Sequence, residues 1–277
     1  MARHAFLAAA MAAALLVPAA AAQNEEFRLS GSARQGALLR GTAPPGTVAL
    51  DLGGRQVPLA PDGRFILGFD RDSGPAALLT ARLADGRAVR LPLEVAPRAW
   101  RIQHVGIARP SGGPTPEYAR LRESELARIG AARARQSDSS GWSQRMVAPA
   151  RGRISSVFGS QRMYRGGVPA AYHSGVDIAG GAGAAVVAPA DGVVTLAPPP
   201  GFSLEGNLVI VDHGMGLTSA FLHLSNAAVR PGQAVRQGEL LGRIGATGRA
   251  TGPHLHWSLV WNGARIDPQP LVGPAPR

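Results

Sequence analysis

The chain contains no cysteine and no lysine among its 277 residues, and aromatic residues make up only 5% of it. Without cysteine no disulfide can staple the fold and no lipidated thiol can tether it, so stability has to come from buried cores or a bound metal. Without lysine, arginine is the only strong base, and 29 basic residues against 18 acidic ones leave a formal charge of +11. A basic surface can hold nucleic acid, anionic lipid or an acidic polymer. The sequence has no basic cluster interleaved with aromatics and no recognition-helix pattern, which argues against nucleic acid.

Long apolar runs are also missing beyond the amino terminus. There, Arg3 precedes an apolar stretch from Ala5 to Val17, Pro18 breaks it, and Ala20-Ala21-Ala22 offers small residues before Gln23. This pattern predicts a secretory signal over residues 1–22, because the run is shorter than the ~20 apolar residues a membrane span needs. The expected mature protein is exported and, once the signal is cleaved, is not stably inserted in a membrane. Retention of the signal as an anchor is the alternative.

With 45% hydrophobic and 17% charged residues, the remainder reads as globular. Residues 23–97 show short apolar runs broken by turns such as Pro61-Asp62-Gly63 and Ala84-Asp85-Gly86, which predict hairpins and a small β-sandwich-like domain. That segment holds no histidine and no acidic cluster, so a spacer or docking role is expected. Residues 98–145 form a linker with one helix, capped by Thr115 with Pro116 and Glu117 in its first turn and running to about Arg135. Its arginines and glutamates are expected mostly in water, with Tyr118, Leu121, Leu126, Ile129 and Ala132 as one weak apolar stripe. Ser137 to Gly141 reads as a flexible joint.

Residues 146–277 hold five of the seven histidines. Strand-like runs separated by Gly-rich turns, without long helical periodicity, predict an antiparallel β fold. Within it, His173 and Asp177 stand four apart. On a straight strand that is about 13 Å, too far to share a metal, so the chain must bend, and Gly175 is positioned to permit it. Imidazole nitrogen and carboxylate oxygen are both good zinc ligands. His254 and His256 share one face of a strand, so one can bind the metal while the other faces substrate. His223 projects from another apolar strand and becomes a further chemical candidate beside these residues. His213, in a turn, reads as structural.

These motifs, together with Val187-Ala188-Pro189-Ala190-Asp191-Gly192, Gly206-Asn207 and Asp212-His213-Gly214, resemble the lysostaphin and LytM type of secreted zinc metalloendopeptidases that cut peptidoglycan peptides. The resemblance covers about the last 130 residues. It implies a mainly β fold whose C-terminal domain, residues 146–277, is an antiparallel two-sheet structure with a groove along one sheet. It further implies one zinc per chain on His173, Asp177 and His256, with His254 and His223 as catalytic histidines. His254 is expected to take the proton of the attacking water, and His223 to bond the oxyanion or orient the water; the two roles are exchangeable at this point. The sequence departs from the family where tyrosine is frequent two residues before the catalytic histidine, since Phe221 stands there. Another tyrosine can precede the first ligand, and here Tyr164 is the candidate stand-in.

The reaction so implied is hydrolysis of peptidoglycan peptides in a Gram-negative periplasm, with the D-Ala to diaminopimelate cross-link as the favoured bond. No protein partner is indicated. The alternative is a non-catalytic wall-binding regulator of other hydrolases, which loss of any of the three ligands would have favoured.

Overall fold

The computed structural model describes residues 26–109 and 112–273, so the expected signal lies outside the described residues. Seven strands occupy the front: β1 (Arg28–Ser30), β2 (Leu38–Thr42), β3 (Thr47–Leu52), β4 (Arg55–Val57), β5 (Arg64–Gly68), β6 (Ala76–Leu83) and β7 (Ala88–Glu94). They form a three-stranded sheet, β1-β2-β5, and a four-stranded sheet, β4-β3-β6-β7. Leu39, Leu50, Phe65, Leu67 and Leu79 are buried in this half.

β8 (Ile102–His104) and α1 (Pro116–Ala134) follow. The Thr115 side chain caps α1 by accepting from Tyr118 N at 3.2 Å, and satisfies one of the orphan donors of the first turn. The apolar stripe is only half used. Ile129 and Ala132 are buried against Leu196, Phe202, Leu208 and Ile210, whereas Tyr118, Leu121 and Leu126 are exposed. Against expectation, two charged residues of α1 leave water instead. Glu125 is buried and accepts from Ser203 N and Oγ at 2.5 and 2.7 Å, and Arg122 donates to Glu205 at 2.8 and 3.0 Å and to Glu125 at 2.5 Å. The expected joint at Ser137 to Gly141 is likewise tied down. Ser137 N and Oγ both donate to Asp212 Oδ2 at 2.7 Å.

The remaining strands are β9 (Arg153–Ser156), β10 (Gln161–Tyr164), β11 (Val168–Pro169), β12 (Val176–Ala179), β13 (Ala185–Val187), β14 (Gly192–Leu196), β15 (Asn207–Asp212), β16 (Leu217–Ala227), β17 (Ala234–Val235), β18 (Leu240–Ile244), β19 (Leu255–Trp261) and β20 (Ala264–Ile266). Ten of them join one antiparallel network whose main order is β17-β14-β15-β16-β19-β12-β9, with β20 beside β19 and with β18 linking β13 and β16. β10 stands apart, pairing antiparallel with β11 and parallel with β8. The fold is thus mainly β.

β19 is buried along its whole length, as a central strand covered on both faces should be. Leu255, Trp257, Leu259 and Trp261 point into the core; His256, Ser258 and Val260 occupy the other face. A buried polar chain locks the core side. Trp257 Nε1 donates to Ser219 Oγ at 3.2 Å, Ser219 Oγ lies 2.8 Å from His213 Nε2, and His213 Nδ1 donates to the Asp191 carbonyl at 2.8 Å. His213 is therefore a fully partnered core residue, held neutral by burial.

One apolar cluster runs from the front sheets into this core. Gly68 at the end of β5 lies so close to β19 and β20 that a Cβ would meet Ile266 at 2.8 Å and Trp261 at 2.9 Å. Asp267, almost wholly buried, accepts from Arg98 at 2.6 Å and donates its own N–H to Gly36 O at 2.9 Å. Among the described residues no helix is long and apolar enough to cross a membrane.

Candidate active site

β12 and β19 pair so that Asp177 faces His256 directly. Their side chains meet at 2.9 Å, His256 Nδ1 to Asp177 Oδ1. His173 lies before β12, where its N–H donates to Ser160 O at 2.8 Å and its carbonyl accepts from Gly159 N at 2.8 Å. That turn brings His173 Nε2 to 3.0 Å from both Asp177 Oδ1 and His256 Nδ1. Gly175 matters here through space rather than through dihedral freedom. A Cβ on it would sit 2.3 Å from the Trp257 carbonyl and 2.8 Å from His256 Nε2.

The other ring nitrogen of His173 fixes its tautomer. Nδ1 lies 3.1 Å from the Val157 carbonyl, which can only accept, so Nδ1 carries the hydrogen and Nε2 presents a lone pair to the cluster. Burial opposes ionisation of Asp177, but the His173 and His256 imidazoles against it hold its carboxyl well below the usual carboxylate range. Burial also lowers His256, and the nearby Asp177 offsets this only in part. The three donor atoms lie within 4.8 Å of one another. Around a tetrahedral ion with bonds of ~2.0–2.2 Å, ligand atoms stand about 3.3–3.6 Å apart. The donors therefore need to spread by only a few tenths of an ångström to hold an ion, and two imidazoles with one carboxylate make a suitable set.

His223 and His254 flank this cluster. Their rings lie 4.8 Å apart, centroid to centroid, and that of His223 is 6.4 Å from that of His256. His254 Nδ1 donates to Gly252 O at 2.8 Å and its Nε2 lies 3.8 Å from Asp177 Oδ1. His223 Nδ1 donates to Thr247 O at 2.9 Å. Each imidazole thus turns Nε2 toward the cluster, and burial lowers the pKa of His223, which favours its neutral form.

His223 does not project from a regular strand. Between the pairs Asn207–Leu224 and Val209–Phe221, β16 has two residues where β15 has one. This bulge puts His223 at φ +65°, a left-handed conformation that costs a β-carbon residue ~1–3 kcal/mol. It breaks the alternation of the strand, so that Leu222 and His223 both border the groove. The His223 N–H is satisfied by Glu205 O at 2.9 Å, and Thr247, which receives its ring, is itself fixed by donating Oγ1 to Leu224 O at 2.8 Å. Nothing in the turn from Gly245 to Gly248, read as sequence, signals that its Thr247 carbonyl sets the His223 tautomer.

Phe221 is fully buried in the core. Tyr172, beside His173, gives its hydroxyl to Asp70 of the front half at 2.7 Å; burial, with Asp70, pushes it up to about 12. Tyr164 borders the groove.

That groove encloses about 790 Å³. Its floor includes Ala220, Leu222 and Ser258; α1 supplies one wall, and β8 with β10 supplies another.

The profile of peptidase family M23 matches residues 171–268, which contain the His/Asp/His cluster and both flanking histidines. A crystal structure assigned to peptidase M23 from Pseudomonas aeruginosa aligns with 87% of this chain and 94% of its own, at 30% identity and a TM-score of 0.65. The chain belongs to peptidase family M23. This agrees with the lysostaphin and LytM resemblance of its motifs. A peptidoglycan DD-endopeptidase, ShyA, from Vibrio cholerae is 37% identical over 124 residues, 45% of this chain and 28% of that relative. A DD-carboxypeptidase/endopeptidase, Mpg, from Neisseria meningitidis is 40% identical over the same length and the same shares. The chain therefore spans 28% of the length of these curated relatives.

Proposed function

We propose that this M23 chain is a zinc-dependent endopeptidase that hydrolyses peptide bonds in the cross-links or stems of peptidoglycan, on the outer side of the cytoplasmic membrane. The observation that carries the reading is the convergence of His173, Asp177 and His256, two of which line the groove, beside two histidines whose Nδ1 hydrogens are already committed. When bound, zinc supplies Lewis-acid polarisation of the scissile carbonyl and acidifies water.

The protein's own groups do the rest. A neutral Nε2 on His254 or His223 accepts the proton of the attacking water, and the resulting imidazolium can donate to the oxyanion or return the proton to the leaving amine. The lowered pKa of His223 suits it as an acceptor. With Nδ1 of each ring bonded to a backbone carbonyl, neither His223 nor His254 has a second hydrogen to give while neutral. Either ring can therefore take the proton of the water, and only the imidazolium so formed can donate to the oxyanion. Thr247 and Gly252 carbonyls hold both rings in that tautomer.

The names of the relatives ShyA, a peptidoglycan DD-endopeptidase, and Mpg, a DD-carboxypeptidase/endopeptidase, support a DD-peptide bond as the target; the finer reading proposed with it is the D-Ala to diaminopimelate bond, cut in the periplasm. A regulator that binds wall without cutting it is disfavoured by an intact set of ligands and both histidines. Incubating the zinc-loaded chain with purified peptidoglycan and identifying products by mass spectrometry decides between them. Loss of cross-linked dimers, abolished by chelation and restored by zinc, is expected; dimers left intact by a metal-loaded chain would overturn the enzyme reading.

A further inference from the structure

Six arginines border the groove, and most have an evident occupation or lie open to water. Arg122 is held by Glu125 and Glu205. Two others stand out. Arg133, in the last turn of α1, has a buried Nε with no hydrogen-bond partner. Among the described residues neither Arg133 nor Arg265 has a carboxylate at ion-pair distance. Arg265 instead packs its guanidinium over the Tyr172 ring at 5.4 Å, which limits its freedom. Burial and the charge of Arg265 together lower the pKa of Arg133, with only Glu205 opposing. Two like charges kept close in a partly desolvated cleft, with an unused donor, are unfavourable until an anion joins them.

Their position relative to the chemistry follows from strand register. Arg265 pairs with Val260 across β19 and β20, and cross-strand partners share a face. Val260 lies on the face of His256 and Ser258, four residues from His256, which is about 13 Å along the strand. An extended peptide on the groove floor covers that distance in about four residues.

We propose that Arg133 and Arg265 form a carboxylate-binding subsite of the groove, which selects peptides bearing a free carboxylate within about four residues of the bond cut. The inference rests on the peptidase reading and adds to it a selectivity supplied partly by α1, which lies outside residues 171–268. Guanidinium pairs suit planar carboxylates because each offers a fork of donors.

The test compares two cross-linked muropeptides of one sequence, with side-chain carboxylates free or amidated, on the zinc-loaded full chain. Hydrolysis gives KM and kcat, calorimetry gives affinity, and melting curves check the fold of each variant. The wild type should favour the free acid by about tenfold or more, chiefly in KM. In Arg133→Gln and in Arg265→Gln the ratio between the two peptides should collapse toward one. Equal handling of both peptides by the wild type, or a ratio that survives both substitutions, overturns the subsite. If neither peptide is cut, the peptidase reading fails instead, and the calorimetric preference for the free acid still decides the subsite. Should Arg133→Gln fail to fold, the more exposed Arg265→Gln carries the test.

Discussion

The backbone N–H of His223 donates to the carbonyl of Glu205 at 2.9 Å. Since the Glu205 carboxylate is gripped by Arg122 of α1, a helix outside the matched family segment reaches the support of the proposed catalytic His223 through one residue. Arg122→Ala would leave two largely buried carboxylates facing each other and should cost about 3 kcal/mol or more in chemical denaturation. A fall in kcat with retained zinc is the expected functional result. Unchanged stability and kcat would mean that α1 merely leans on the groove.

The same cluster sets an acid limit. Burial works to raise Glu125, but Ser203 and Arg122 hydrogen bonds outweigh it and hold the carboxyl below its ordinary 4.5. The unfolded chain therefore takes up this proton first as pH falls. Stability from Glu125 is complete above 4.5 and is lost as pH drops through the lower folded value. Melting temperatures followed from neutral pH to about pH 3 should decline less steeply in Glu125→Gln than in the parent, although the variant starts lower. Parallel profiles would contradict this assignment.

His254 and His256, two residues apart, should respond differently. His256→Ala should lose both metal and activity, because two ligands hold zinc far more weakly than three. His254→Ala and His223→Ala should keep stoichiometric metal by elemental analysis while turnover falls ~10²–10⁴-fold. In the parent, the acid limb of kcat/KM attributable to His223 should lie below the ordinary 6.5. Metal release from His254→Ala with retention in His256→Ala would require the site to be redrawn.

Gly175→Ala tests whether the cluster depends on close approach. The added carbon would collide with the Trp257 carbonyl, a backbone atom that cannot swing away, so destabilisation of ~1–3 kcal/mol is expected together with weakened zinc binding. Normal zinc affinity in this variant would show that the strand pair can open without disturbing the ligands.

His173, Asp177 and the 254–256 pair were legible because their spacing is local: four residues and two, each beside turn-forming glycines. The residues that orient them were not. Arg122 meets Glu205 across 83 positions and Glu125 meets Ser203 across 78, and an arginine–glutamate pattern on a helix reads as a solvated face until its partner is known. The bulge at His223 is equally silent, since Phe221-Leu222-His223-Leu224 looks like any apolar strand and the extra residue exists only relative to β15. β8 escaped notice because three exposed residues carry no periodic signal. What the apolar runs did convey was the mainly β class, which depends on alternation and turns rather than on distant partners.

The contact of Gly68 with Trp261 and Ile266 has a consequence in time. A growing chain delivers the front strands first, and β19 and β20 among the last. Until they arrive, the Gly68 end of β5 lacks its cover and Arg98 has no Asp267, while His173 and Asp177 await His256. The closing of the shared core and the completion of the His/Asp/His cluster therefore depend on the same late segment, so a chain cut short before His256 would have neither a sealed interior nor the full cluster.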